Sequence, residues 1–394
     1  MTPIGLVAGE PSGDLIASRL LQGVQERIPD LVVQGIGGPA LEQSGMQIWH
    51  PMAALSVFGY VDALRSLPRL IRIYNDVAKR WKLTPPALFL GVDAPDFNLR
   101  LEEKLRAQGV PTVHFVGPSI WAWRYERIHQ IRRAVSHMLV LFPFEVEIYE
   151  KEGIPVTYVG HPLADAIPTE PDRAGVRESL GIDADTPVVA ILPGSRSSEI
   201  RLLSPVFLQA AARFAQKEPG TCFLVPMVNQ VRRQEFEAFL ARYPVPNLRI
   251  IQASGIQSRE QWPVSWQAMA ACDVALVASG TATLETALFK RPMVISYILS
   301  GMMRRIMAFK SGQTGPSVPW VGLPNVLSRE FVVPELLQEQ ATPDNLFREL
   351  DSLWRDESRK AHIRSQFEDL HQILRRNTAQ KAGQAVVELL TCQN

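Results

Sequence analysis

The sequence predicts an α/β protein of two doubly wound domains that face each other across a cleft, followed by a helical C-terminus. Short apolar runs alternate with amphipathic stretches along most of the chain, and this pattern is typical of parallel sheets covered by helices on both faces. At 394 residues, the chain is too long for one ordinary core. We expect domains at residues 1–168 and 169–365. The helices of 366–394 should pack on an N-terminal domain, that of the same chain or of a partner subunit.

In the first block, apolar runs predict six strands, and amphipathic stretches between them predict the helices. The strands are expected at Ile4–Ala8, Leu31–Ile36, Ala87–Gly91, Thr112–Val116, His137–Leu141 and Val156–Val159. Helices are expected at Leu15–Ile28, Ala63–Trp81, Phe97–Gln108 and Arg124–Ala134. A stretch rich in Pro, Asp and Glu at 165–185 is typical of a linker that leads into a short helix.

The second block repeats the alternation. Strands are expected at Val188–Leu192, Thr221–Val225, Leu248–Ile251, Val274–Val277 and Met293–Tyr297. The expected helices are Ser198–Gln216, Arg232–Arg242, Trp262–Ala271 and Thr283–Phe289, and the pattern from Asp344 to Leu390 is helical only. Because ligands of such sheets bind beyond the carboxyl ends of the strands, those ends are where functional residues are expected.

Composition excludes several classes of function. A hydrophobic content of 46%, a charged content of 21% and a net charge of +1 describe a soluble protein with no general attraction to nucleic acid. Cys222, Cys272 and Cys392 are too few and too widely spaced for a disulfide framework or a zinc site. The N-terminus lacks the pattern of a signal peptide, and no apolar run is long enough to span a membrane. We expect a cytoplasmic protein without a metal or cofactor.

Two turns of the first block carry candidate functional residues. The first strand runs into AGEPSGD, where two glycines allow close approach of the backbone and Ser12 or Asp14 can cap the next helix. The third strand ends in VDAPDFN, with carboxylates at Asp93 and Asp96. Asp93 can act as a base that takes a proton from a hydroxyl, or as a helix N-cap before Pro95. The spacing is not that of a metal-binding DxD pair.

Further along the first block are aromatic and basic candidates. Trp121 and Trp123, followed by Arg124, can pack in the core or form a wall for a sugar or an acyl chain. A predicted helix offers Arg65, Arg69 and Arg72 beside apolar residues at helical spacing. Such a face is either an ordinary solvated surface or one that lies on an anionic membrane.

The second block has two turns suited to an anion. The first is Pro193-Gly194-Ser195-Arg196, where a buried strand ends just before a helix. The second is Ala278-Ser279-Gly280-Thr281, again between a strand and a helix, with Glu285 one turn further on. Helix N-termini attract negative charge, and arginine binds phosphate oxygens with two parallel donors. The pair of turns favours a nucleoside diphosphate, although Glu285 can equally complement the helix dipole.

Seven motifs in order then identify a family. They are AGEPSGD (Ala8–Asp14), GVDAPDFN (Gly91–Asn98), PSIWAWR (Pro118–Arg124), GHPLAD (Gly160–Asp165), LPGSR (Leu192–Arg196), ASGTATLE (Ala278–Glu285) and LPNVL (Leu323–Leu327). Together they resemble the lipid-A-disaccharide synthases over nearly the whole chain. Pro11 stands where some members have Thr, a departure confined to loop detail.

The resemblance implies a GT-B fold. It also implies condensation of UDP-2,3-diacylglucosamine with 2,3-diacylglucosamine 1-phosphate, which gives a β-1,6-linked disaccharide and UDP with inversion at the donor carbon. It makes Asp93 the general base and assigns Arg196, Glu285 and Asn325 to the UDP-sugar pocket. Other nucleotide-binding candidates are Gly194, Ser195, Ser279, Gly280 and Thr281. Acceptor-side candidates are Glu10, Ser12, Gly13, Asp96, Asn98, Ser119, Trp121, Trp123 and Arg124.

By the same resemblance, the helix bearing Arg65, Arg69 and Arg72 matches the region proposed to meet the membrane in this family. The expected location is therefore the cytoplasmic face of the inner membrane, with peripheral attachment, as a monomer or a swapped homodimer. No metal is expected, since Arg196 and the two helix N-termini can hold the diphosphate. The alternatives are a transferase with another acceptor, a UDP-GlcNAc 2-epimerase, and a catalytically silent UDP-sugar-binding protein, because fold alone does not separate them.

Overall fold

The computed structural model describes residues 3–55, 60–252, 262–301 and 318–391, with the backbone alone for 60–66. The chain divides into two compact units. The first comprises Met1–Asp165 and Leu374–Asn394, and the second comprises Ala166–Ile373. Each unit is built around its own parallel sheet.

The first unit contains a sheet of parallel strands with the order β3-β2-β1-β4-β5-β6-β7. The strands are β1 (Ile4–Ala8), β2 (Val33–Gly37), β3 (Gln47–Pro51), β4 (Phe89–Val92), β5 (Thr112–Phe115), β6 (His137–Val140) and β7 (Val156–Tyr158). The helices are α1 (Pro11–Gln25), α2 (Pro39–Gln43), α3 (Tyr60–Leu83), α4 (Pro95–Arg106), α5 (Ile128–Ala134), α6 (Phe144–Lys151) and α7 (Pro162–Ala166), with a 3-10 turn at Tyr125–Arg127. The strand order reverses between β1 and β4, so the topological switch point lies there.

The second unit contains a sheet of order β10-β9-β8-β11-β12-β13. Its strands are β8 (Val188–Leu192), β9 (Cys222–Met227), β10 (Leu248–Gln252), β11 (Val274–Ala278), β12 (Met293–Tyr297) and β13 (Glu335–Leu337). Its helices are α8 (Arg173–Ser179), α9 (Ser197–Lys217), α10 (Gln230–Leu240), α11 (Val264–Ala271), α12 (Thr281–Leu288), α13 (Leu323–Ser328), α14 (Pro343–Arg355) and α15 (Glu357–Leu374). The switch point of this sheet lies between β8 and β11.

Burial explains why these segments are strands. All five residues of β1, β8 and β11 are buried, as expected for central strands covered on both faces. The edge strands β3 and β13 were not predicted from the sequence. Their residues are half-buried or exposed, so they lack the continuous apolar run that marks a central strand.

The helical C-terminus forms three helices, of which the last is α16 (Thr378–Thr391). This helix packs against α1 of the same chain, where a methyl group on Gly383 would lie 3.1 Å from the carbonyl carbon of Gly23. Asp165 accepts hydrogen bonds from the backbone N–H groups of Arg376 (3.1 Å), Asn377 (3.0 Å) and Thr378 (2.7 Å). The GHPLAD segment therefore holds the returning chain by capping its last helix.

Candidate active site

The two turns at the first switch point are in direct contact. A methyl group on Gly9, in the turn after β1, would lie 2.6 Å from the Cβ atom of Ala94 in the turn after β4. A methyl group on Gly13 would lie 3.7 Å from the Cβ atom of Asp93. Glycine at these positions lets the AGEPSGD turn lie against Asp93, as expected for adjacent parallel strands.

Asp93 occupies a strained turn. Asp93 and Ala94 have φ values of 53° and 44°, in the left-handed region that non-glycine residues seldom adopt. The Asp93 carboxylate accepts a hydrogen bond from the N–H of Ala94 at 2.8 Å. Ala94 is the N-cap of α4 and provides no side-chain cap, so Asp93 is not the N-cap that was considered from the sequence.

Burial raises the pKa of Asp93, while the Ala94 N–H and the nearby His114 act in the opposite direction. A carboxyl group with a raised pKa is a better proton acceptor at neutral pH, provided that it stays ionised. Backbone strain and a shifted pKa at one carboxylate are typical of catalytic positions.

The buried side chain of Asn98 holds the turn at Asp93 in place by hydrogen bonds. Its side chain is fully buried and its Nδ2 donates to the carbonyl oxygen of Asp93 at 2.7 Å, with longer contacts to the carbonyls of Val7 and Val92. Asn98 therefore ties β1 and β4 together beneath Asp93. In this structure it supports the turn, and its side chain does not face solvent.

Two further residues with left-handed backbone lie at the same edge of the sheet. Val116, at the end of β5, has a φ of 68° and Arg124 has a φ of 58°. A β-branched residue in this region is a genuine outlier. Of the residues that the structure describes, Asp93, Ala94, Val116 and Arg124 thus share left-handed backbone at the carboxyl edge of one sheet. Such clusters are typical of functional sites.

The loop after β5 carries the aromatic candidates. Trp121 is half-buried and meets the ring of Phe144 edge-to-face at 5.4 Å, and Trp123 is also half-buried. Ser119 is exposed, and its carbonyl oxygen accepts from the N–H groups of Ala122 and Trp123. Both tryptophans thus keep part of their surface exposed.

The remaining polar candidates of the first unit lie on its surface. Arg124 is exposed and contacts Glu126, while Asp96 forms an ion pair with Arg127 at 2.5 Å. Glu10 is the N-cap residue of α1 but forms no side-chain cap. Ser12 is exposed beside it.

Asp14 has a different structural role from the predicted one. Its buried carboxylate accepts hydrogen bonds from the N–H groups of Gly38 (2.7 Å), Ala40 (2.9 Å) and Leu41 (3.3 Å). It therefore caps the N-terminus of α2 and not that of α1. The expectation that Ser12 or Asp14 caps α1 was wrong, because α1 begins at Pro11 and not at Leu15, so both residues lie inside its first turn.

At the second switch point, the N–H groups of the turn after β8 bind a carboxylate of the same chain, that of Glu199. Glu199 Oε2 accepts from the N–H groups of Ser195 (2.9 Å) and Arg196 (3.1 Å), and Glu199 Oε1 lies 3.2 Å from the Arg196 guanidinium. Gly194 has a φ of 107°, and a methyl group there would lie 2.4 Å from Glu199 Oε2. Two N–H groups of this turn are therefore occupied by a carboxylate of the protein itself.

The Arg196 side chain is 77% exposed, so most of its donors face solvent. Tyr297, at the end of β12, is half-buried and near this pair, since Glu199 and Arg196 both act on its pKa, which burial raises. Neither Glu199 nor Tyr297 was a predicted site residue. The sequence signal for Glu199 is its place three residues after Arg196, the position of a capping-box carboxylate.

The turn after β11 is open. Gly280 is the N-cap of α12, with a φ of 145° and no side-chain cap, and the first turn of this helix has no acidic residue. Within the part of the chain that the structure describes, no atom lies within 4 Å of a methyl group placed on Gly280. Ser279 is half-buried, while Gly280 and Thr281 are exposed. The backbone donors of this helix N-terminus can therefore reach a ligand.

Two polar side chains that were expected in the UDP-sugar pocket form hydrogen bonds with other residues of the protein. Glu285 Oε1 accepts from the indole N–H of Trp266 at 2.9 Å, and burial raises the pKa of Glu285. Asn325 is fully buried, donates to Val333 and Glu335 at 2.8 Å each, and accepts from the N–H of Val333. Asn325 therefore holds the chain around β13 in place.

The outer face of α3 is basic and apolar. Arg69 and Arg72 are exposed, and so are Leu67 (49%) and Ile71 (51%). The side chain of Arg65 lies outside the described residues. Among the helices that the structure describes, none is long and apolar enough to cross a membrane. In the same residues, no group of three or more His, Cys, Asp or Glu side chains is arranged to hold a metal ion.

The two parallel α/β sheets and the helical C-terminus define a protein of the GT-B fold, which confirms the predicted fold class. UDP-GlcNAc 2-epimerase from Neisseria meningitidis has the same fold, with a TM-score of 0.60, 13% identity and 100% of both chains covered. The calicheamicin glycosyltransferase CalG4 gives a TM-score of 0.57 at 13% identity, over 99% of this chain and 98% of that one. At such identities the likeness concerns the fold alone.

Sequence comparison identifies the family. The model of lipid-A-disaccharide synthetases matches residues 4–389. A lipid-A-disaccharide synthase from Bordetella petrii is 63% identical over 386 residues, with 98% of each chain covered. One from Azoarcus sp. is 47% identical over 388 residues, with 98% of this chain and 96% of that one covered. The chain belongs to the lipid-A-disaccharide synthase family and is a glycosyltransferase of lipid A biosynthesis. The resemblance seen in the seven motifs is confirmed.

Proposed function

We propose that this enzyme condenses UDP-2,3-diacylglucosamine with 2,3-diacylglucosamine 1-phosphate and inverts the configuration of the donor carbon. The 6-hydroxyl oxygen of the acceptor forms the new bond to C1 of the donor as the bond from C1 to the UDP oxygen breaks. The products are a β-1,6-linked disaccharide 1-phosphate and UDP. The observation that carries the proposal is a carboxylate on strained backbone, Asp93, at the first switch point of a chain from this family.

Asp93 is the proposed base of this displacement. Among the described residues, the only hydrogen-bond donor to its carboxylate is the N–H of Ala94, which leaves one oxygen for the hydroxyl proton of the acceptor. Its neighbour Asp96 is unsuited to the role because it is paired with Arg127. A single base on the acceptor side is what a one-step inverting displacement requires.

The second unit stabilises the departing UDP in this proposal. The Arg196 guanidinium and the open N-terminus of α12 supply positive charge and N–H donors for the diphosphate. The second carboxylate oxygen of Glu285 is the proposed acceptor for a sugar or ribose hydroxyl. We propose that these groups act without a metal ion, since arginine and helix N-termini can balance the charge that develops on UDP.

The acceptor side belongs to the first unit in this proposal. The partly exposed rings of Trp121 and Trp123, with Ser119 and Arg124 in the same loop, form the wall against which a sugar or an acyl chain packs. The face of α3 with Arg69, Arg72 and its exposed apolar residues lies on an anionic membrane, from which the acylated substrates are drawn.

The test is a mass-spectrometric assay of the purified protein in mild detergent with EDTA and both acylated sugars. A tetraacyl disaccharide 1-phosphate in equal amount to UDP is the expected result. Strict dependence on Mg²⁺ or Mn²⁺ would contradict metal independence. UDP without disaccharide would indicate another acceptor, an epimerised UDP-sugar would indicate an epimerase, and UDP binding without turnover would indicate a silent binding protein.

The membrane contact is tested separately with vesicles that contain anionic phospholipid. Arg69→Ala with Arg72→Ala should weaken vesicle binding about fivefold per arginine, since each cation near an anionic surface contributes about 1 kcal/mol. Arg348→Ala with Arg359→Ala, on helices of the second unit, is the control and should leave binding unchanged. Equal loss in both pairs would mean that α3 has no special role at the membrane.

A further inference from the structure

A cavity of about 220 Å³ lies in the first unit beside the N-terminus of α16. Its walls come from α1, the end of β5, the start of α7 and the first turn of α16. Ile16 and Phe115 belong to an apolar part of the lining, while Arg19 and the first turn of α16 supply polar groups. An apolar wall with a few converging polar groups is typical of a binding site for a small ligand.

The first turn of α16 keeps two backbone donors for a ligand. Asp165 accepts from the N–H groups of residues 376–378. Among the described residues, the N–H groups of Ala379 and Gln380 have no acceptor, and both residues line the cavity. Because α16 is 14 residues long, its N-terminus attracts negative charge through these N–H groups and the helix dipole.

Two side chains of the lining are also without a partner. Thr378 is 2% exposed, and within the described residues its buried hydroxyl oxygen has no hydrogen-bond partner, which is rare in folded proteins. Arg19 is exposed and, in the part of the chain that the structure describes, forms no hydrogen bond or ion pair. The charge of Asp165 is offset by its three N–H donors, so Arg19 is the cation left to balance an anion.

The cavity adjoins the proposed base. The N–H of Asp93 donates to the carbonyl oxygen of Phe115 at 2.9 Å, and Phe115 is part of the cavity lining. On α1, a methyl group on Gly13 would lie 3.7 Å from the Cβ atom of Asp93. Arg19 follows Gly13 by six residues of the same helix, which is about 9 Å along its axis. This spacing is on the scale of one sugar ring with its substituents.

We propose that this cavity binds the phosphate of the acceptor sugar, with Arg19, the Thr378 hydroxyl and the free N–H groups of α16 as donors. This rests on the proposed function, in which the acceptor carries a phosphate on C1 and presents its 6-hydroxyl to Asp93. The two ends of one sugar are then held at the two ends of the α1 segment. Because the phosphate does not react, its contacts should lower the acceptor KM and leave kcat unchanged.

The test compares 2,3-diacylglucosamine 1-phosphate with 2,3-diacylglucosamine as acceptors of the full-length enzyme in detergent. With the phosphorylated acceptor, Arg19→Gln should raise KM about tenfold, since a charge-assisted hydrogen bond is lost, without a change in kcat or UDP affinity. With the dephosphorylated sugar, Arg19→Gln and the wild type should have equal kcat/KM. Arg27→Gln, at an exposed cation just beyond the C-terminal end of α1, is the control and should behave as the wild type.

Thr378→Val keeps the shape of the side chain and removes only the hydroxyl. It should raise the KM of the phosphorylated acceptor about threefold without lowering Tm, because no hydrogen bond within the protein is lost. An equal loss with both acceptors in Arg19→Gln, an equal loss in Arg27→Gln, or an unchanged KM in both Arg19→Gln and Thr378→Val would overturn the proposal.

Two further measurements separate the possible sources of the phosphate and the two proposals. Inorganic phosphate should compete with the phosphorylated acceptor in the wild type and not in Arg19→Gln. Binding of inorganic phosphate without any preference for the phosphorylated acceptor would mean a site for free phosphate and would overturn the proposal. Calorimetric binding of the phosphorylated acceptor to Asp93→Asn requires no turnover. Its loss in the double variant with Arg19→Gln would support the site even if no disaccharide were formed.

Discussion

The carboxyl edges of the two sheets differ in the kind of group that they present. At the first edge, the candidate base is a side chain that titrates, Asp93, held on left-handed backbone; the adjoining β5 and α4 carry a buried pair, His114 and Glu102, whose Nδ1 and Oε1 atoms are 2.8 Å apart. At the second edge, the candidate groups are backbone N–H groups at the starts of two helices, with Arg196 beside one of them.

In the proposed reaction, the two units would make different contributions. Proton transfer needs a group whose charge state is set by burial and neighbours, so the first edge should be sensitive to pH. Binding of a diphosphate needs fixed donors and permanent charge, so the second edge should respond to salt and little to pH near neutrality. The following substitutions test that division, in order of decreasing effect.

The largest effect is expected for Asp93→Asn. The amide cannot accept the hydroxyl proton, so kcat should fall by about 10²–10⁴-fold, while the affinity for UDP should stay unchanged. Steady-state kinetics and calorimetric titration with UDP measure the two effects. Asp96→Asn is the matched control from the same DAPD stretch and should change kcat only a few-fold. Equal losses in the two variants would mean that the first edge has no special base.

The second prediction concerns stability of the first unit. His161 is buried, its Nδ1 accepts from the N–H of Leu163 at 3.2 Å, and burial lowers its pKa to about 4. Its contribution to stability is therefore present above the unfolded pKa of about 6.5 and is lost as the pH falls toward 4. Between pH 7 and pH 5, the wild type should lose about 2 kcal/mol that His161→Asn does not lose, because the Asn Oδ1 replaces the acceptor without titrating.

Denaturant unfolding of the first unit at the two pH values measures this difference. The exposed His129, on α5 of the same unit, serves as control: His129→Asn should retain the pH dependence of the wild type. If His161→Asn and the wild type lose stability in parallel, the burial of His161 does not govern the acid sensitivity of this unit.

The third prediction concerns the second edge. Arg196→Ala should weaken UDP binding about tenfold, since one charge-assisted contact to the diphosphate is lost, and should reduce the salt dependence of binding. Arg201→Ala removes an exposed cation one turn further along α9 and should have little effect on either quantity. An equal loss for Arg201→Ala would mean that only the general positive charge of α9 matters.

Much of the fold was predictable because the central strands are continuous apolar runs. The segments Ile4–Ala8, Val188–Leu192 and Met293–Tyr297 have the predicted limits. The edge strands Gln47–Pro51 and Glu335–Leu337 were missed because their residues are only partly buried. The periodicity of a short edge strand is weak, so sequence alone does not distinguish it from a loop.

The positions of the candidate site residues could be predicted from the sequence, but their hydrogen-bond partners could not. Strand ends directed attention to Asp93 and Arg196, since parallel strands bring their carboxyl ends to one edge. The partners of Asp14 and Asn325 could not be foreseen, because they lie 24 to 27 and 8 to 10 residues away in the chain. Nor does any spacing rule link Glu102 to His114, which meet only when α4 packs on β5.

The smallest effect is expected for Glu199→Gln. The Gln side chain keeps one oxygen that can accept from the N–H groups of Ser195 and Arg196, so the turn should retain its shape. The variant removes a negative charge beside the proposed diphosphate site and frees the Arg196 guanidinium from its partner. UDP affinity should therefore rise about threefold, as expected when like charge is removed at a partly screened position.

Calorimetric titration with UDP measures this change, and Glu237→Gln is the control. Glu237 pairs with Arg233 on α10 at 2.8 Å, so its loss removes a similar ion pair away from the turn and should leave UDP affinity unchanged. Weaker binding in Glu199→Gln would show instead that Glu199 holds Arg196 in the orientation that the nucleotide needs. The second edge would then depend on a carboxylate as the first one does, and the contrast between the two edges would narrow.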